Sequence, residues 1–191
     1  MKTYASNPGN VRVKQLRLLY HMPLVTLAFL GGGAALLIIG FFQNNAILGF
    51  LGAVCLGLLF WVIDNARYRF TQGDVNISKV LSLKPPLFAI STNMRNTGGS
   101  LLFPVVKIVR RKVPNVRGRR LKVGDYFATA CLYAGTDQKP HWDNVYPVPL
   151  SVATDDIETI EHHDEQLEYL RDELEARLAL VDTPEKPGLY F

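Results

Sequence analysis

Four histidines, two cysteines and seventeen carboxylates are the groups with which this chain of 191 residues could do chemistry. His162, His163 and Asp164 stand side by side. Adjacent side chains on a helix project about 100° apart, so two neighbouring imidazoles diverge instead of meeting on one ion. The triplet therefore reads as solvated surface. His141 and Asp143 would share one face of a strand at spacing two, but no third ligand for zinc or iron stands near them. Cys131 lies in an apolar run with no base beside it and reads as core. Cys55 lies in another apolar run, and no disulfide between the two is expected. Asn96 to Ser100 has a composition that can cradle an anion on backbone amides, although hairpin turns of this composition are commoner. Gly31-Gly32-Gly33 is no phosphate loop, since no Lys-Ser/Thr follows it. H-E-x-x-H, G-x-S-x-G, Walker and C-x-x-C motifs are missing. No catalytic residue, cofactor-binding residue or metal ligand is assigned, and the chain reads as non-enzymatic.

The conspicuous charged feature is a run of bases, Lys107, Arg110, Arg111, Lys112, Arg117, Arg119, Arg120 and Lys122. Residues 65–122 carry thirteen Lys/Arg against one acid, a net of +12; residues 123–191 carry four against fifteen, a net of −11. The overall +4 averages over this internal dipole. Aromatic residues do not interleave with the bases, so nucleic acid is not an expected partner. From Arg110 to Lys122 the expectation is a surface for anionic lipid, where each base is worth about 1 kcal/mol, or for an acidic protein. A solvated loop has the same composition.

These residues are carried by a chain that reads as membrane-anchored. Met22 to Ile63 holds no charge. Pro23 to Phe42 is long enough to span about 30 Å of hydrocarbon, and Ala46 to Ile63 about 27 Å. Gln43-Asn44-Asn45 separates them as a tight turn. A cleaved leader is not expected, because the first run exceeds a typical leader core and a second run follows at once. Lys2, Arg12, Lys14 and Arg17 precede the hairpin, Arg67 and Arg69 follow it, and the turn has no base. This places both termini in the cytoplasm, with the hairpin in the cell membrane. Tyr20, Trp61 and Tyr68 fall where an interfacial aromatic belt belongs. Ala28 and Gly32, Gly31 and Ala35, and the series Ala46, Gly49, Ala53, Gly57 form small-residue stripes that let helix backbones approach closely. They read either as the seam of the hairpin or as a face for helices of another protein. No acid, base or histidine lies within either run, which argues against a transporter, channel or proton relay.

Three segments follow: 1–22, a basic cytoplasmic lead; 23–64, the transmembrane hairpin; and 65–191, a cytoplasmic α+β domain. In the last, short β-rich runs are punctuated by Gly and Pro: Asp74 to Leu83, Leu87 to Thr92, Leu101 to Val113, Tyr126 to Tyr133 and a stretch within Asp143 to Val152. They predict a short-stranded sheet or partly open barrel. Thr154-Asp155-Asp156 supplies capping residues, with Asp155 and Glu158 at capping-box spacing. Leu167, Leu170, Leu174, Leu178 and Val181 then predict one amphipathic C-terminal helix. Pro187-Gly188-Leu189-Tyr190 reads as a tail.

Several motifs carry a resemblance. Gly73-Asp74-Val75-Asn76, Ser82-Leu83-Lys84-Pro85-Pro86-Leu87, Pro104-Val105-Val106-Lys107, Val123-Gly124-Asp125, His141-Trp142-Asp143 and Pro187-Gly188-Leu189-Tyr190 together resemble a bacterial family of uncharacterised proteins, over roughly residues 70–191. That family implies no catalytic residues. In size and layout the chain is also similar to small accessory subunits of actinobacterial cytochrome bc–oxidase supercomplexes. The expected function is a non-catalytic accessory or assembly subunit of a larger membrane complex, surrounded by membrane lipids. The alternative is a membrane-anchored module that binds anionic lipid or a soluble partner.

Overall fold

The uncharged runs fold as helices, whose every backbone hydrogen bond closes within the segment. The computed structural model describes residues 9–96, 102–116, 118–136 and 138–191. A short helix, α1 (Gln15–His21), comes first. The first apolar helix, Pro23–Phe42, consists of α2 (Pro23–Thr26), a π-helical turn at Leu27–Gly31, and α3 (Gly32–Phe42). Proline at position 23 has no N–H for the carbonyl of Leu19. Thr26 Oγ1 donates to that carbonyl at 2.9 Å. The second, α4 (Ala46–Gln72), has 27 residues and outruns the predicted end at Ile63. Both helices are long and apolar enough to cross a bilayer. Between them Asn44 adopts a left-handed backbone (φ 50°). Asn45 Oδ1 accepts from the amides of Ile47 and Leu48 at 3.1 and 3.2 Å, which caps α4.

The chain divides into two compact units. One is Val13–Tyr68; the other is Arg69–Phe191 with Gly9–Arg12. The second unit is a curled six-stranded antiparallel sheet with helices. Its strands are β1 (Asp74–Leu83), β2 (Pro86–Asn93), β3 (Pro104–Arg110), β4 (Tyr126–Ala134), β5 (Asn144–Pro149) and β6 (Gly188–Tyr190), in the order β5-β4-β1-β2-β3-β6. The N-terminal strap joins this unit through backbone bonds from Gly9 to Gly73 and from Asn10 to Thr71, of 3.1 and 3.2 Å. Only glycine fits at position 9: a Cβ there would sit 2.6 Å from Val75 Cγ2.

Pleat alternation builds the core. The register Val80↔Phe88 on one side of β1 and Ser78↔Phe127 on the other puts two phenyl rings on one face, 5.4 Å apart and near-perpendicular. Val116, Leu121 and Ile160 close over them. A second cluster gathers Ile90, Met94, Val105, Cys131, Trp142 and Val145.

Two features of the C-terminal part depart from expectation. The single amphipathic helix is two, α5 (Ile157–Gln166) and α6 (Arg171–Leu178), with a 3-10 turn at Glu168–Leu170. Leu167 and Leu174 are fully buried, whereas Leu170, Leu178 and Val181 are only half-buried, so the uniform stripe is broken at the bend. The N-cap is Asp156, one of the capping residues expected at 154–156, and its Oδ2 accepts from Thr159 Oγ1 at 2.6 Å. The supposed tail contains a strand: β6 pairs with β3 through Val106↔Tyr190 and Ile108↔Gly188. Helix α6 is tied to the sheet by Lys79 on Glu175 (2.6 Å), by Tyr126 donating to Glu175, and by the Arg171 guanidinium 5.0 Å over the Tyr126 ring.

Candidate functional site

The hairpin closes on glycines that the spacing rule did not select. A Cβ at Gly52 would lie 2.8 Å from Gly33 O and from Leu37 N; one at Gly40 would lie 2.6 Å from Gly49 N; one at Gly33 would lie 3.1 Å from Cys55 Cβ. Gly33, Gly40 and Gly52 are all buried. At Gly32, Gly49 and Gly57 a Cβ would meet nothing within 4 Å, and Ala28, Ala46 and Ala53 are exposed. The Cβ positions of the small-residue stripe read from sequence thus point to open space, although the Gly49 backbone itself packs on Gly40. The π-helical turn at Leu27–Gly31 accounts for part of this. It inserts one residue, so positions four apart across it no longer share a face.

Arg110, at the end of β3, and Arg111, Lys112, Arg119, Arg120 and Lys122, on the segment that links β3 to β4, are all exposed. Arg117 lies outside the described residues, as do Thr97 to Ser100 of the supposed anion-cradling turn. His141 Nδ1 pairs with the carbonyl of Trp142 at 2.9 Å, while Asp143 is ion-paired with Lys139. The two side chains are therefore occupied separately. The 162–164 triplet is not wholly solvated, as expected from sequence: His163 and Asp164 are buried. Asp164 Oδ1 accepts from the Ala128 amide at 2.9 Å and pins α5 to β4. His163 bonds the Gly9 backbone, and burial holds its pKa below the usual imidazole value. Both burials follow from α5 packing on the sheet, which no local pattern announces. Among the described residues no three of His, Cys, Asp and Glu gather in a way that could hold a metal ion.

A constellation that the sequence reading missed lies where β1, β2 and β4 meet. Alternation puts Asp74, Asn76 and Ser78 of β1 on the face that also carries Thr92 of β2 and Cys131 and Tyr133 of β4. Asn76 Nδ2 donates to Thr92 Oγ1 at 3.2 Å, and Thr92 Oγ1 stands 2.6 Å from Tyr133 Oη. Tyr133 Oη is also bonded to Asp74. A carboxylate only accepts, so the tyrosine proton points to Asp74 and Thr92 donates to Tyr133. The chain of donors therefore runs Asn76, Thr92, Tyr133, Asp74. The Tyr133 ring is stacked against Trp142, with centroids 6.4 Å apart. Burial, with Cys131 and Asp74 nearby, holds the Tyr133 phenol well above its usual pKa. Burial also pushes the Cys131 thiol up to about 12, so it stays protonated and is a poor nucleophile. Beside this chain lies a cavity of about 200 Å³, reached also by Glu173 of α6 and by Tyr169. The signal that was present is the alternation Asp74-x-Asn76-x-Ser78. In isolation it marks a strand with one wet face, and only the curl of the sheet encloses that face.

No family model matches the chain, and no curated protein matches it. A solved structure similar in part is described as "Crystal structure of a putative membrane protein from Corynebacterium diphtheriae". It is 17% identical with a TM-score of 0.44, over 61% of this chain and 98% of that one.

Proposed function

We propose that the chain is a non-catalytic accessory or assembly subunit of a larger membrane complex, held in it through the open small-residue face of its hairpin. The observation that supports this reading is the division of labour among glycines. The hairpin closes on Gly33, Gly40 and Gly52, and leaves Gly32, Gly49 and Gly57 with space for a foreign backbone. Helix association in lipid depends on close packing and not on hydrophobic burial, so an unused small face is where another helix packs best. The layout resembles accessory subunits of cytochrome bc–oxidase supercomplexes, which makes a respiratory complex the first partner to test. Gly49→Leu combined with Gly57→Leu is expected to insert normally, since both changes raise hydrophobicity, and to lose most of the protein that co-purifies in mild detergent. Retention of every wild-type partner at unchanged stoichiometry would refute the docking role of this face.

The flanking charges support an orientation with both termini in the cytoplasm. A cysteine at Gln43 in a Cys55→Ala background, where the remaining Cys131 is buried, should then react with a membrane-impermeant thiol reagent added outside intact cells. Gln43 suits the label better than Asn44, whose left-handed backbone disfavours a cysteine. Labelling only after the cells are opened would reverse the orientation.

A further inference from the structure

One end of the sheet gathers exposed cations on a braced rim. The register Leu83↔Pro86 and Leu87↔Arg110 brings the β1–β2 turn and the last residue of β3 to that end. The segment that links β3 to β4 is fastened there too. Val116 and Leu121 are buried against Val80, Phe88 and Phe127. The Val80 carbonyl accepts from the Gly124 amide at 2.8 Å, and the Val80 amide donates to the Asp125 carbonyl at 2.9 Å. Arg119 and Arg120 lie between the two apolar anchors, and Lys122 follows the second. This stretch is therefore held against the core and is no loose loop.

Lys84 of the turn is exposed on this rim beside the six exposed bases of residues 110–122. Among the described residues none of these bases is ion-paired. Asp125 and Asp164 share a cavity with Arg119, yet each carboxylate accepts from a backbone amide, that of Lys122 or of Ala128, at 2.9 Å. Two large apolar side chains stand exposed on the same rim, Leu83 at 52% and Val123 at 60%. Val123 directly precedes the Gly124 amide bound to Val80, which sets it beside the β1–β2 turn. Bases alone suit any polyanion. Apolar groups set among bases suit a bilayer surface, where binding scales with buried apolar area plus attraction to anionic headgroups. The chain also carries two helices long and apolar enough to cross a bilayer, which keeps such a surface at high effective concentration.

We propose that this end of the sheet docks on a bilayer surface rich in anionic phospholipid, with Leu83 and Val123 at the headgroup boundary and the surrounding bases on phosphates. The inference is independent of which helix packs on the hairpin. The full chain is reconstituted in phosphatidylcholine nanodiscs and mixed with vesicles of phosphatidylcholine with or without phosphatidylglycerol, and flotation measures capture. In a second arm the discs themselves contain or lack phosphatidylglycerol, and hydrogen exchange is followed at the amides of Leu83, Lys84 and Val123. Capture by the anionic vesicles alone, or slower exchange in the anionic discs alone, is the expected result; the second would assign the contact to the chain's own bilayer. Arg110→Gln, Lys112→Gln and Arg120→Gln together should weaken this preference about hundredfold at low salt, at roughly fivefold per base, and much less at high salt. Leu83→Ser with Val123→Ser should weaken it about tenfold at either salt concentration. All five positions are exposed, so both variants should retain the fold. No capture together with unchanged exchange, equal response to neutral lipid, or a response that neither variant weakens would overturn the proposal. Binding of poly-glutamate without any response to anionic lipid would overturn it as well, in favour of an acidic protein.

Discussion

Gly52→Leu is expected to separate the two membrane helices. A Cβ at position 52 would sit 2.8 Å from the Gly33 carbonyl oxygen and 2.8 Å from the Leu37 amide nitrogen. Both are backbone atoms in helices, which cannot swing aside as a side-chain end can. Overpacking in a soluble core costs about 1–3 kcal/mol. In lipid no hydrophobic term opposes separation, because lipid tails bury leucine as well as protein does. A small steric cost therefore becomes a loss of contact. The readout uses Cys55. A Cβ at Gly33 lies 3.1 Å from Cys55 Cβ, close to the separation found in disulfides. Oxidising a Gly33→Cys chain should cross-link the hairpin. Adding Gly52→Leu should abolish the cross-link, and adding Gly57→Leu, whose Cβ meets nothing, should leave it intact. Equal cross-linking in all three chains would mean that Gly52 is not in the seam.

Phe127→Ala is expected to be among the most damaging single changes in the sheet unit. Phe127 is fully buried, in edge-to-face contact with Phe88 and covered by Val116, Leu121 and Ile160. Removing a buried phenyl ring costs about 3–5 kcal/mol, the sum of lost transfer energy and the cavity left behind. Domains of this kind have about 5–15 kcal/mol in total, so the variant would stand near the edge of folding. Urea titration of the detergent-solubilised chain, followed by the fluorescence of buried Trp142 in a Trp61→Phe background, should show a much lower midpoint at unchanged slope. A fall of less than about 1 kcal/mol would show that the loop carrying Val116 and Leu121 collapses into the space, which is the escape open to a poorly constrained core.

The candidate sites were legible to different depths. The exposure of Arg110, Arg111, Lys112, Arg119, Arg120 and Lys122 could be read directly, because charge at that density stays on a surface. The open face of Gly49 and Gly57 could be read as a stripe, but not as open. Small residues occur on several faces of both helices, and which of them meets the partner helix depends on the π-helical turn at Leu27–Gly31. The cavity beside Asp74 and Tyr133 could not be read. Its walls come from residues as far apart as Asp74, Thr92, Tyr133 and Glu173, and it exists only because β1 and β2 part beyond Ser78 and Ile90. His163 and Asp164 looked like surface because nothing nearby in sequence reports that α5 lies against β4.

By itself the sequence determined the two apolar helices, the turn between them, the spans of β1 and β4, and the separation of basic from acidic segments. Each depends on interactions that close within a few residues: i to i−4 hydrogen bonds, an asparagine cap, a two-residue pleat period and local charge. The tertiary structure alone decided the strand order, the recruitment of Gly188–Tyr190 as a sixth strand on β3, the division of the C-terminal helix at Leu167, and the choice of seam glycines. In each of these the deciding partner lies in a segment distant along the chain or on a second helix. Its contribution is backbone pairing or steric fit, and neither leaves a local mark in the residues that accept it.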